Sequence, residues 1–232
     1  MKDKKVLNIV SLIVAAVLII IPAVMGFGFI YGYTDNIGVR DPKFRNLSLV
    51  KVYGDNKKGE GVIVYVDDEY ADIITCKHIF ETDYKALVEF GNKESVYADV
   101  TYYFPDVDAC VIRLKRSDIK DAIGYPVAVP FLGKNDYSKL SIGEKVYYSD
   151  DLNDLSRTFN EGLWISSDEF VYELEGNVGL FSGEVVPGMS GSGVFDEDGK
   201  LIGIIVASNE VDGALLPAFK LMDYRLYLEE EK

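Results

Sequence analysis

A serine set among glycines is the first residue here that could do chemistry. Ser190 stands in Pro187-Gly188-Met189-Ser190-Gly191-Ser192-Gly193-Val194-Phe195, a run able to make a tight turn that exposes the hydroxyl and lets the backbone approach a substrate carbonyl. A serine alcohol is a weak nucleophile until a base takes its proton. His78 is the only histidine in the chain, and imidazole is the side chain best suited to that work near neutral pH. It follows the apolar run Ile73-Ile74-Thr75-Cys76. A carboxylate accepting the other ring N–H would fix the tautomer and stabilise the imidazolium. Asp108 heads the strand-like run Ala109-Cys110-Val111-Ile112-Arg113-Leu114 and could fill this role, with Asp106 as its rival. The N–H groups of Gly188 and Ser190 could then form an oxyanion hole, worth ~2.7–4 kcal/mol per donor in hydrolases. Taken singly, each segment also has a plain structural reading: a Gly/Ser hairpin, a structural histidine and a solvated turn aspartate.

Such side chains need a frame to bring them together. Short β-branched or aromatic runs at 47–52, 61–66, 72–75, 85–90, 96–103 and 110–114 are separated by Gly, Asp, Asn and Pro, the punctuation of strands. After a polar stretch (115–124) and the segment 126–131, a second series occupies 145–148, 163–166, 171–174, 179–185, 193–195, 201–208 and 214–217. Only the end reads as a helix: 219 to about 230, after a proline, with Leu221, Tyr224 and Leu228 on one face. Two successive sets of strands predict an all-β fold of two packed antiparallel barrels, the first over 47–120 and the second, with the terminal helix, over 121–232.

Composition narrows the function classes. With a net charge of −14 and no Lys/Arg-rich stripe in the body of the chain, a nucleic-acid partner is not expected, because phosphate binding needs clustered cations. One histidine and two cysteines are too few for a structural zinc site, and no calcium-loop spacing occurs; no metal or other cofactor is expected. Residues 6–30 form a 25-residue stretch without a charge, and ~20 apolar residues span a bilayer. Lys2, Lys4 and Lys5 precede it, so the positive-inside rule predicts a single transmembrane signal-anchor (1–33), a cytoplasmic amino terminus, a linker (34–46) and an extracytoplasmic remainder. Cleavage of the segment would instead secrete the globular part.

Together the three segments resemble the trypsin-like, chymotrypsin-fold serine proteases, nearest to the bacterial HtrA-like and glutamyl-endopeptidase-like branches. Thr75-Cys76-Lys77-His78 matches a strand ending in T-x-x-H, Asp108 precedes a hydrophobic strand with a basic residue near its end, and Gly188–Phe195 is similar to G-[ND]-S-G-[GS]-P-[LV]-F. The chain order His, Asp, Ser is that of chymotrypsin and not of subtilisins or α/β-hydrolases. Further similar pieces are Gly59-Glu60-Gly61-Val62-Ile63-Val64, the run from Ser138 to Tyr147, whose Leu140, Gly143 and Val146 fit the L-x-x-G-x-x-V part of an S-x-x-L-x-x-G-x-x-V pattern, and Gly213-Ala214-Leu215-Leu216-Pro217. The resemblance implies two six-stranded barrels with a catalytic triad of His78, Asp108 and Ser190 in the groove between them, and a peptide or protein substrate. It also places Glu184, six residues before the serine, near the base of the pocket for the residue preceding the cut, with Ile205, Val206 and Ala207 along it. An acid there would favour Lys or Arg, unless differing loop lengths leave Glu184 a solvated strand residue.

Departures are Met189 in place of a polar residue and Ser192-Gly193 in place of a residue followed by proline. Cys76 and Cys110 do not match the usual bacterial pattern, but each lies two residues from a member of the implied triad, on strands that pair in the implied fold, and a bridge between them is expected in an oxidising exterior. No Ile-Val-Gly-Gly-type start is present, so activation by a freed amino terminus is not expected, nor is a PDZ-like domain in the short tail after Tyr227. The competing readings are a catalytically inactive trypsin-like module that binds peptides or a partner protein at the membrane surface, and a tethered structural β-protein.

Overall fold

Lys85–Glu89 alternates solvent-facing and buried side chains, as a strand with one face on a core must. The same logic repeats along a computed structural model that describes residues 48–54, 57–80, 85–119, 127–149, 159–209 and 211–224, all inside the compact unit 38–232. The first barrel comprises β1 (Leu49–Tyr53), β2 (Lys58–Val66), β3 (Tyr70–Thr75), β4 (Lys85–Glu89), β5 (Ser95–Tyr103) and β6 (Cys110–Lys115). It closes in the order β1-β2-β3-β6-β5-β4. The second comprises β7 (Lys145–Ser149), β8 (Phe159–Val171), β9 (Gly176–Ser182), β10 (Gly193–Phe195), β11 (Leu201–Ser208) and β12 (Asp212–Pro217), closing as β10-β11-β12-β9-β8-β7. Every strand pairing is antiparallel, so each barrel satisfies its own backbone without leaving an open edge.

β3 and β11 are buried along most of their length, and β2 and β6 along about two thirds of theirs, which single-barrel strands with one face in water would not be. The connecting chain covers part of them: Val129 N–H donates to Ile63 O, Leu132 N–H to Leu201 O, and Leu201 N–H to Pro130 O. The second core gathers Tyr148, Trp164, Phe181, Val194, Ile202 and Leu215; Tyr137 meets Trp164 edge-on at 5.5 Å.

The pieces at 163–166 and 171–174 are not two strands: β8 runs unbroken for 13 residues, absorbing Ser166-Ser167-Asp168 through register shifts between Trp164 and Ser166 and between Ser166 and Glu169. Polar residues that look like a turn sit here on bulges. The expected terminal helix begins as a 3-10 turn over Ala218–Leu221, and 225–230 lie outside the described residues. The expected transmembrane segment, 6–30, also lies outside them; among the described residues no helix is long and apolar enough to cross a membrane.

A buried charge cluster ties the carboxyl-terminal segment to the first barrel. Asp72 and Arg113 face each other across β3 and β6, and the guanidinium donates twice to the carboxylate, Nε to Oδ1 at 2.7 Å and Nη2 to Oδ2 at 2.8 Å. Tyr224, 1% exposed, donates its hydroxyl to Asp72 Oδ2 at 3.1 Å. Hydrogen bonds to charged groups contribute about 1.5–3 kcal/mol. Tyr224→Phe is therefore expected to lower the unfolding free energy by roughly that amount, measured by urea titration.

Candidate active site

The His78 turn is set by the end of β3. The strand stops at Thr75, and Lys77–Ile79 coil into one 3-10 turn with Ile79 buried beneath it. This leaves the imidazole on the outside, its side chain 40% exposed. Asp108 lies on the chain leading into β6, the neighbour of β3, where Thr75 pairs with Cys110. That register delivers the carboxylate to the turn. Its Oδ1 accepts the His78 backbone N–H at 2.9 Å, and its Oδ2 lies 2.5 Å from Nδ1. The double contact leaves Nε2 as the outward nitrogen. Asp106 is exposed and among the described residues makes no such contact, so Asp108 is the one of the two aspartates that touches the imidazole.

Ser190 comes from the second barrel, on the turn between β9 and β10. Gly188 and Gly191 take φ of +106° and +85°, a region L side chains avoid. Gly191 is also crowded, since a Cβ there would lie 2.1 Å from Glu60 O and 2.4 Å from Thr75 Oγ1. Met189, the departure beside the serine, has a structural reason: it is 2% exposed, packs in the second core, and its Sδ accepts the Val186 N–H at 3.3 Å. An apolar anchor thus holds the turn where a charged residue would need a partner.

The turn is bonded to both barrels. Ser190 O accepts Glu60 N–H from β2 at 2.8 Å, and Gly191 N–H donates to Ile205 O of β11 at 2.8 Å. Gly59 fits between the two halves of the site: a Cβ on it would meet Ile79 Cδ1 at 2.4 Å and Ser190 O at 2.5 Å. The backbone of Ser190 and the residue after His78 therefore converge on one glycine. The N–H groups of Met189, Gly191 and Ser192 donate to Val186 O, Ile205 O and Met189 O. Among the described residues those of Gly188 and Ser190 have no acceptor. A plain hairpin would pair such donors; two left open beside a serine can hold an oxyanion.

No hydrogen bond joins Ser190 Oγ to His78 Nε2 in this structure. Nucleophile–base bonds in substrate-free sites are often long and tighten on binding. Ile205 and Val206 are buried and Ala207 half-buried on β11, whereas Glu184 is exposed. The resemblance marked Gly59 and Glu60 only as part of a strand and gave them no part in the site; the fold shows their backbone supporting the serine.

The cysteines are free and buried; the suggested bridge is not formed. Cys76 Sγ donates to Ile205 O at 3.1 Å, and Cys110 Sγ faces Cys76 O at 3.8 Å. Cys76 Sγ also falls within 4.8 Å of ligand-type atoms of His78 and Asp108. Burial, with the Asp108 carboxylate adding to it, pushes both thiols well above the ordinary range. Because the thiolate is the reactive form, neither cysteine is expected to react with Ellman's reagent at pH 8 until the protein is unfolded, when both should. Titration of native against denatured protein checks this.

The architecture resembles a solved one: the Rv3671c protease, in a crystal structure of its inactive form, superposes with a TM-score of 0.56 at 18% identity, covering 80% of this chain and 96% of that one. At such identity the likeness concerns the fold. A search of curated proteins finds no match. The family model described as "Trypsin-like peptidase domain" matches residues 59–204, which includes His78, Asp108 and Ser190, and the chain accordingly belongs to the trypsin-like peptidase domain family.

Proposed function

We propose that this protein is a membrane-anchored serine endopeptidase that cleaves peptide bonds through His78, Asp108 and Ser190. The observation that carries the reading is the double hold of one carboxylate on the His78 turn, backbone N–H and ring together. Ser190 Oγ attacks the substrate carbonyl while His78 Nε2 takes its proton. Asp108 keeps Nδ1 protonated and offsets the imidazolium charge. The Gly188 and Ser190 N–H groups receive the oxyanion, and His78 returns the proton to the departing amine. Water then repeats the sequence on the acyl-enzyme. The uncharged stretch 6–30 with its lysine-rich flank supports an uncleaved anchor that places this domain outside the cytoplasm. Among the branches of the family, the HtrA-like and glutamyl-endopeptidase-like ones remain nearest by motif.

The rival reading, an inactive peptide-binding module, draws on the unmade bond between Ser190 Oγ and Nε2. A fluorophosphonate probe separates the two. An active enzyme gives a stoichiometric adduct that peptide mass spectrometry maps to Ser190; folded protein that takes up no label rejects the hydrolase.

A further inference from the structure

Beside the oxyanion turn, a cavity of about 20 Å³ is lined by Lys51, Lys58, Gly59 and Glu60 of the first barrel and by Val186 and Gly188. None of its walls comes from β11 or β12. The Ser190 turn is bonded to β2 through Ser190 O and to β11 through Gly191 N–H; with Ile205–Ala207 of β11 on the acyl side in the proposed reading, the cavity against β2 falls on the leaving-fragment side in that same reading. Its size admits about one water; a leaving-fragment side chain can therefore reach its rim and not its interior.

The rim is cationic. Lys58 is exposed, and its Cε lies 3.6 Å from the position of a Cβ on Gly188. Among the described residues its ammonium makes no hydrogen bond or ion pair. Lys57 is adjacent, its Nζ donating to His78 O at 3.2 Å. Buried Lys51 stands across from Glu60 on β2 and Glu89 on β4, so those carboxylates oppose its charge. In a chain of net charge −14, this edge is a local exception.

We infer that Lys58 is a specificity determinant that selects a carboxylate on the leaving fragment, close after the bond cut. The inference rests on the hydrolase reading above. The carboxylate can be an Asp or Glu side chain or the end of a short leaving peptide. An exposed ion pair is weak, but comparing an acidic with a basic residue sets attraction against repulsion, giving an expected preference of about 10-fold that shrinks with added salt.

Acyl transfer tests it without knowledge of the acyl-side preference. A peptide ester first acylates Ser190. Added amines then compete with water: the ester bond to Ser190 Oγ breaks, a C–N bond forms, and the amine proton passes through His78 to Oγ. Glu-Gly-amide, Lys-Gly-amide, Ala-Gly-amide and Ala-Gly with a free carboxylate are compared as nucleophiles. The expected result is capture by Glu-Gly-amide about 10-fold more efficient than by Lys-Gly-amide, with Lys58→Glu bringing the ratio to one or below. Lys139→Glu, a charge change at a lysine whose side chain is 73% exposed, should leave it unchanged. Preference for free Ala-Gly over its amide would identify the chain end as a second source of the carboxylate. Equal ratios in wild type and Lys58→Glu, or equal losses in both variants, would overturn the inference while the ester is still turned over. An ester that is never hydrolysed would instead overturn the hydrolase reading and this inference with it.

Discussion

Asp108→Asn is expected to lower kcat about 10⁴-fold. Oδ2 now lies 2.5 Å from Nδ1, and Oδ1 accepts the His78 N–H. An asparagine can keep the second contact with its carbonyl oxygen, so the turn should survive. It can no longer offer two acceptors, and its amide drives the ring proton to Nε2, the nitrogen that accepts from Ser190 in the proposed mechanism. Folding should change little, because Asp108 is only half-buried. Ser190→Ala sets the floor at about 10⁶-fold in such enzymes, and the double variant should be no slower, since these residues act as a unit. Single-turnover kinetics with a peptide ester, beside urea unfolding of each variant, supplies both numbers. A kcat within 10-fold of wild type for Asp108→Asn would remove Asp108 from the proposed mechanism.

Asp72→Ala is expected to cost about 3–5 kcal/mol of stability. The Asp72 side chain is fully buried and that of Arg113 only 18% exposed, with the guanidinium also 5.0 Å over the Tyr70 ring. Removing the carboxylate strands a cation in a site built for a pair and takes away the acceptor of Tyr224. The loss is thus mostly the penalty on Arg113, which makes the claim separable from simple loss of contacts. Asp72→Ala combined with Arg113→Met should recover much of it, because replacing a buried pair by apolar groups is close to neutral. Chemical unfolding of the single and double variants checks the sign. A double variant less stable than Asp72→Ala would contradict it.

The strands of the first barrel were legible because each is a short apolar run bounded by turn residues. β10 and β11 match the sequence expectation to the residue, since Gly193 and Asp196–Lys200 bracket them. β8 was not, because its bulges place serines and an aspartate where a turn would have them. The choice of Asp108 over Asp106 needed the family pattern; in space it follows from the pairing of Thr75 with Cys110, which aligns the carboxylate with the His78 turn. Lys58 left no mark in the sequence, being one lysine among 24 basic residues. Its meaning comes only from closure of two barrels onto the same glycine turn.

The packing at Gly59 and Gly191 has a genetic corollary. Any single-base missense change in a glycine codon introduces a side chain, and at these two places its first carbon would fall within 2.5 Å of Ser190 O or of Glu60 O. Drift at either codon is therefore closed off one nucleotide at a time. A lineage could leave glycine there only by reshaping both lobes together.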